Sequence, residues 1–86
     1  MKLTKEQFNQ THQAILDGFN TEELRNLVRT ELNEDLDHVT RDSNLSVRVH
    51  ELVTWAERKG EVENLVIAAA KEKPGNEKLG AHPLIL

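Results

Sequence analysis

The side chains that most often perform catalysis do not stand in a catalytic pattern in this sequence. None of the 86 residues is a cysteine, which excludes a thiolate nucleophile and thiolate metal ligands. Ser43 and Ser46 lie at the predicted start of a helix, and no glycine elbow surrounds either one. The four glycines are dispersed along the chain, so no phosphate-cradling loop is expected.

The four histidines share no metal-ligand spacing with one another. They are His12, His38, His50 and His82. His12 lies on the apolar stripe of the first predicted helix, without a second histidine or a carboxylate at ligand spacing on that face. We therefore expect His12 to be an imidazole at the edge of the core, hydrogen-bonded to a neighbour.

Carboxylates cluster in residues 31–37, which form the most acidic segment. Its acidic members are Glu31, Glu34, Asp35 and Asp37. The cluster lacks the glycine and the fixed ligand spacing of an EF-hand, and a domain this small has no cleft signal for a glycosidase. A solvated acidic edge and an acidic docking surface remain as interpretations. We expect no enzymatic activity, no cofactor and no metal.

Helical periodicity and capping signals predict a compact, all-α antiparallel bundle of five to six helices. Thr4 followed by Gln7 predicts a capping box at the start of the first helix, and Gly18 is expected to end it in the left-handed conformation. Thr21 is expected to cap the second helix. Residues 33–42 are too polar for a long helix and should contain one short turn.

The second half of the chain is dominated by two amphipathic helices joined at one glycine. Ser43 or Asn44 should cap the first of them, and Gly60 should end it. The next helix should end before Pro74, because proline disfavours a helical residue in front of it. Asn76 could cap a last short turn that runs to residue 79.

Three apolar side chains of these two helices do not fit the centre of the buried stripes. Trp55 falls at the flank of its stripe and should be half-covered. Val47 and Ile67 point away from the stripes and should be exposed. Exposed apolar side chains within a contact patch favour a partner-binding role.

Length and composition indicate one domain. Residues 1–79 are expected to form it, with residues 80–86 as an apolar tail or the start of a linker. No apolar run approaches the ~20 residues that span a bilayer, and the N-terminus lacks the apolar core of a signal peptide. With no cysteine in the chain, we expect a cytoplasmic protein.

The charge distribution disfavours nucleic acid and membranes as partners. The net charge is −4, and residues 1–40 carry all of it, with eight acidic and four basic side chains. The remaining residues balance seven of each. A net-acidic domain without a basic stripe has little to neutralise phosphates with, whether of nucleic acid or of a lipid surface.

Charge of both signs is the distinctive surface property, and opposite patches on one small body can dock head to tail. Arg25 and Arg29 lie four apart on an outward helix face, as either a solvated face or a basic contact patch. Basic side chains also lie at the end of the Trp55 helix and near the end of the next helix. Lys73 belongs to the second group. The candidate interface comprises Arg25, Arg29, Glu34, Asp35, Asp37, Val47, Arg58, Lys59, Ile67 and Lys71.

Residues 5 to 79 contain a set of positions that together form a family pattern. The most specific parts are Trp55-Ala56 followed by Gly60, and the ending Pro74-Gly75-Asn76. Other positions of the pattern are Phe19, Glu23-Leu24, Leu27-Val28-Arg29, Leu32, Leu36, Asn44-Leu45, Leu52, Leu65 and Ala70. Through these residues, the sequence resembles the first type of bacterial effector-associated domain.

This resemblance implies a death-fold-like helical bundle that acts as an adaptor in bacterial defence. Such a domain would associate with itself, or with a like domain in an effector or switch protein, to recruit or cluster effectors. The alternative from a different class is a small helical nucleic-acid-binding or regulatory domain. It would use Arg25, Arg29 and the basic end of the Trp55 helix.

Overall fold

The computed structural model describes residues 3–41, 43–73 and 75, and within these ranges the chain forms five helices and no strand. The all-helical prediction is confirmed, and the short turn expected within residues 33–42 is present as α3. The predicted turn from Asn76 and the tail 80–86 lie outside the described residues. The helices are α1 (Lys5–Gly18), α2 (Thr21–Glu31), α3 (Leu36–Val39), α4 (Leu45–Lys59) and α5 (Val62–Glu72).

Capping boxes set the starts of α1 and α2. The Thr4 hydroxyl accepts from the Gln7 N–H at 3.1 Å and the Gln7 side chain accepts from the Thr4 N–H at 3.1 Å, as predicted. The start predicted for α2 is wrong by one residue. Asn20 is the cap, since its side chain accepts from the Glu23 N–H at 2.8 Å and Glu23 bonds back to the Asn20 N–H. Asn20 has a glutamate three residues on, which Thr21 lacks.

The two glycines expected to end helices behave differently. Gly60 ends α4 with φ of 71°, and the Glu61 N–H donates to the Ala56 carbonyl at 2.8 Å, as in a Schellman motif. The left-handed conformation predicted for Gly18 is wrong, because Gly18 is the last residue of α1 and Phe19 follows in extended backbone. That extended residue carries the Phe19 ring directly into the core, where it is 4% exposed.

Helices α1 and α4 pack antiparallel. The Leu3 N–H donates to the Glu57 carboxylate at 2.9 Å, which joins the start of α1 to the end of α4. At the other end, His12 Nε2 donates to the Ser46 carbonyl at 2.9 Å. The expected role of His12 as a hydrogen-bonded imidazole at the edge of the core is therefore confirmed.

Helices α2 and α5 form a second antiparallel pair. Glu23 in the first turn of α2 makes an ion pair with Lys73, directly after α5. The Lys73 ammonium also lies 5.4 Å from the centroid of the Phe19 ring, within cation–π distance. This contact ties the chain just before α2 to the end of α5.

The core lies where α1, α2, α4 and α5 meet, and α3 contributes one fully buried anchor, Leu36. Trp55 is half-buried against this core, as its flanking position predicts. No described helix has the length and apolar character needed to cross a membrane. The largest fully buried side chains are Ile15, Leu24, Leu36, Leu52, Leu65, Val28, Val49, Val53, Val62 and Val66.

Candidate interaction surface

An exposed cleft between α2 and α3 brings together five of the ten residues predicted for the interface. Its volume is about 470 Å³. Arg25 and Arg29 line it from consecutive turns of α2, and the acidic side chains line it from the α2–α3 connection and α3. The lining residues are Arg25, Arg29, Asn33, Glu34, Asp35, Asp37 and His38, all of them exposed.

A tight connection places the acidic wall of this cleft. Asn33 has φ of 54°, a left-handed conformation that asparagine tolerates better than most residues. The next N–H, of Glu34, donates back to the Val28 carbonyl at 3.3 Å. Asp35 then caps α3 by accepting from the Asp37 N–H at 2.9 Å, while Leu36 fixes α3 to the core. The backbone of the acidic wall is thus held by local contacts.

Asp37 is shared by two guanidinium groups from different helices. Its Oδ1 lies 3.2 Å from Arg25 Nη2 of α2 and 3.0 Å from Arg48 Nη1 of α4. The hydrogen bond from Arg48, and then that from Arg25, hold the pKa of Asp37 below its ordinary range. One carboxylate therefore links α2, α3 and α4. Arg48 was not among the predicted residues, because it is eleven residues from Asp37 and has no local signal for this contact.

Arg29 and Glu34 differ from Asp37 in having no internal partner. Within the described ranges, neither side chain makes an ion pair or a side-chain hydrogen bond, with each other or with another residue. Both are exposed and both line the cleft. Asp35 has no ion pair but caps α3. The cleft thus presents one cation, Arg29, and one anion, Glu34, whose side chains make no contact of this kind and are left to solvent or a partner.

The other five predicted residues lie away from this cleft, on α4 and α5. Val47 and Ile67 are 41% and 43% exposed, which confirms the expectation that both are exposed. Arg58 lines a second, smaller cleft of about 240 Å³. Lys59 is the last residue of α4, and Lys71 lies one turn after Ile67 on α5. The structure therefore gathers half of the predicted interface in the cleft and leaves the other half elsewhere on α4 and α5.

The described histidines make different local contacts. His12 bonds to Ser46, His50 packs edge-on against the Phe8 ring at 5.0 Å, and His38 lines the cleft. His82 lies outside the described residues. Over residues 3–41, 43–73 and 75, no group of three or more histidine, aspartate or glutamate side chains is placed to hold a metal ion.

Acidification is expected to destabilise the domain through Asp37 and Glu23. Lys73, by its hydrogen bond, and then the Asn20 N–H lower the pKa of Glu23, as the arginines lower that of Asp37. The unfolded chain then binds protons at a higher pH than the folded chain. The stabilisation is complete above the ordinary pKa values and is lost as pH falls below them and through the lower folded values.

The variant Asp37→Asn should have a smaller loss of unfolding free energy over this pH range than the unmodified domain. Urea unfolding midpoints at several pH values measure it. Glu63→Gln, which removes an exposed carboxylate of α5 with no described ion pair, is the matched control. Equal acid sensitivity of Asp37→Asn and the unmodified domain would contradict the role given to Asp37.

Comparison with known proteins identifies the family. The effector-associated domain 1 family matches residues 1–83 of the 86-residue chain. Comparisons with curated proteins and with solved structures gave no match, so the likeness to the death fold stays a prediction. The match covers the whole described bundle, including both predicted interaction regions, and the resemblance seen in the sequence is confirmed. This chain therefore belongs to the effector-associated domain 1 family.

Proposed function

We propose that this domain is a non-catalytic adaptor that recruits or clusters effector proteins in bacterial defence. It associates with a second copy of itself, or with a like domain carried by an effector or switch protein. The observation that carries the proposal is the cleft between α2 and α3, where exposed charges of both signs converge in a chain of an effector-associated family.

The chemistry of the cleft favours recognition over catalysis. Two guanidinium groups lower the pKa of Asp37 and keep its carboxylate ionised. A carboxylate held in this state is a poor proton acceptor at neutral pH. The cleft is open and every lining side chain is exposed, which suits contact with a protein surface.

Charged contacts alone would give a weak complex. An exposed ion pair typically contributes ~0–1 kcal/mol, so several contacts or an apolar centre are needed for stable association. Val47 on α4 and Ile67 on α5 are exposed apolar side chains that can supply such centres. An adaptor of this kind would bind reversibly, with a rate and specificity that depend on salt.

The alternative, nucleic-acid binding, is weakened because Arg25, one of the cations it would use, is paired within the domain. Arg25 and Arg48 both bind Asp37, and Lys73 binds Glu23. These three cations are thereby partly neutralised within the domain and are poorly suited to phosphate. No nucleic-acid partner is part of the proposal.

Self-association at low salt is the expected result that tests the adaptor function. Sedimentation velocity and light scattering should show a mean mass that rises with protein concentration at about 50 mM salt and falls at about 500 mM. Reversing a charge that lines the cleft, by Asp35→Arg, should weaken this association. Glu6→Lys on α1, outside the candidate interface, is the matched control.

A strict monomer at high concentration and low salt, which also fails to bind any like domain, would contradict the adaptor function. Tight DNA binding with a steep salt dependence would favour the nucleic-acid alternative instead.

A further inference from the structure

We infer that the cleft between α2 and α3 is self-complementary and pairs with the same cleft of a second copy about a two-fold axis. In this arrangement Arg29 of one copy faces Glu34 of the other, twice over. The inference rests on the proposed function and specifies its contact surface. It depends on which charged side chains of the cleft already have a partner within the domain and which do not.

Asp37 and Arg25 already form ion pairs within the domain. Asp37 lies within 3.2 Å of both Arg25 and Arg48, so these charges satisfy one another. Reversing any of them would disturb the packing of α3 as well as the surface. Asp35 has no ion pair either, but its carboxylate caps α3 by accepting from the Asp37 N–H. The charged side chains that remain for a partner are therefore Arg29 on the α2 side and Glu34 on the other side.

Arg29 and Glu34 do not form an ion pair with each other across their own cleft. They belong to opposite walls, and the left-handed turn at Asn33 lies between them in the chain. No ion pair joins them within 4.0 Å, and Glu34 has no other described cation. A second molecule entering the cleft can satisfy both, and it needs an anion and a cation to do so.

Two-fold symmetry makes each contact between two copies occur twice. In a two-fold contact, residue i of one copy meets residue j of the other, and the reverse contact is equally present. A surface that offers one cation and one anion therefore makes two ion pairs with a copy of itself. With Arg48, which binds Asp37 from α4, the cleft has three arginines and three acidic residues. Their formal charges sum to zero, so two copies of the cleft can face each other without net repulsion.

The turn between α4 and α5 is a poorer partner for the acidic wall. Arg58 and Lys59 are its cations, and Glu57, Glu61 and Glu63 stand beside them in the chain. Three acids outnumber two bases there, so this turn has no positive excess to attract an acidic surface. Among the described surfaces, the cleft of a second copy matches the cleft best.

The expected dimer is weak and depends on salt. The cleft is lined by seven residues, fewer than the ~20–30 residues per partner of a standard interface, and its ion pairs would be exposed. Association should nevertheless end at two copies, because a two-fold contact uses the same surface on both and leaves none free. A limiting mass of a dimer distinguishes this from head-to-tail growth.

The experiment is a charge swap followed by mixing. Arg29→Glu and Glu34→Arg each place like charges opposite each other twice, so each variant alone should dimerise at least about tenfold more weakly. An equimolar mixture should recover the association, because Glu at position 29 then meets Arg at position 34 in one pair and the other pair is unchanged. The double variant should recover it too.

Sedimentation equilibrium of each protein and of the mixture measures these affinities, and circular dichroism checks that each variant is folded. Both positions are exposed, so folding should be retained. Lys5→Glu is the matched control, an exposed cation of α1 outside the candidate interface, whose reversal should leave a cleft-to-cleft dimer unchanged.

Each alternative outcome has a definite meaning. Association of the unmodified domain that is insensitive to Arg29→Glu and Glu34→Arg would overturn the cleft contact and leave the adaptor function standing. Loss in both single variants without recovery in the mixture would overturn the two-fold arrangement. An unmodified domain that stays monomeric and binds no like domain would remove the proposed function and this inference with it.

Discussion

Leu52→Ala is expected to lower the free energy of unfolding by about 3–5 kcal/mol, the largest effect of a single substitution considered. Leu52 is completely buried on α4, the helix against which α1, α3 and α5 all pack. Its removal takes apolar contacts from several helices and leaves a cavity. A domain of this size is stable by only about 4–13 kcal/mol, so much of its stability would be lost.

Urea unfolding gives the free energy, and thermal unfolding should show a fall of roughly 10–30 °C. Ile67→Ala is the matched control, because Ile67 is an aliphatic side chain of similar size that is 43% exposed. Its cost should be about 1 kcal/mol or less. Equal costs at the two positions would contradict the position of Leu52 in the core.

Leu36→Ala is expected to have the second-largest effect, about 2–4 kcal/mol, with a local component. Leu36 is the buried anchor of α3, a helix of only four residues. Such a short helix has little stability of its own, so losing its anchor should release α3 before the rest of the bundle unfolds. The acidic wall of the cleft would be released with it.

Amide hydrogen exchange separates the local from the global part of this effect. The Thr40 N–H, which donates to the Leu36 carbonyl at 2.8 Å, should exchange much faster in Leu36→Ala. The α4 amides should change only as much as the fall in global stability requires. Thr40 protection that drops no more than that of α4 would show that α3 unfolds only with the whole domain.

Local chemistry made the helix boundaries predictable. The Thr4 and Gln7 pattern, and the glycine at position 60, each act through neighbours within a few residues. The two errors are local as well. Asn20 and Thr21 are both good caps, and the glutamate three residues after Asn20 decides between them. Gly18 permits a left-handed turn but does not require one, and burial of Phe19 favoured extended backbone.

Helical periodicity also predicted which residues are exposed, since Val47 and Ile67 follow directly from their positions on a helix. Periodicity gives the faces of a helix, however, and not the helix that each face meets. The pairing of α1 with α4 and of α2 with α5 joins parts of the chain that are far apart. For the same reason, the contact of Asp37 with Arg25 and Arg48 had no sequence signal.

The candidate surface was predictable as a set of residues and not as an arrangement. Composition identified charges of both signs, and the structure gathers five of the ten predicted residues into one cleft. Whether a charge is free or internally paired depends on distances that composition does not contain. Asp37 and Glu34 look equivalent in the sequence, yet only Asp37 is bound by arginines.

The antiparallel packing of α1 on α4 has a consequence for synthesis on the ribosome. The contacts of α1 reach residues 34 to 54 positions later in the chain. Chains grow from the N-terminus at ~5–20 residues per second, so α1 emerges seconds before its partner exists. Helices shorter than about 12–15 residues are marginal in water. The nascent chain therefore has no core to fold around until α4 is made, and the bundle forms only near the end of synthesis of this domain.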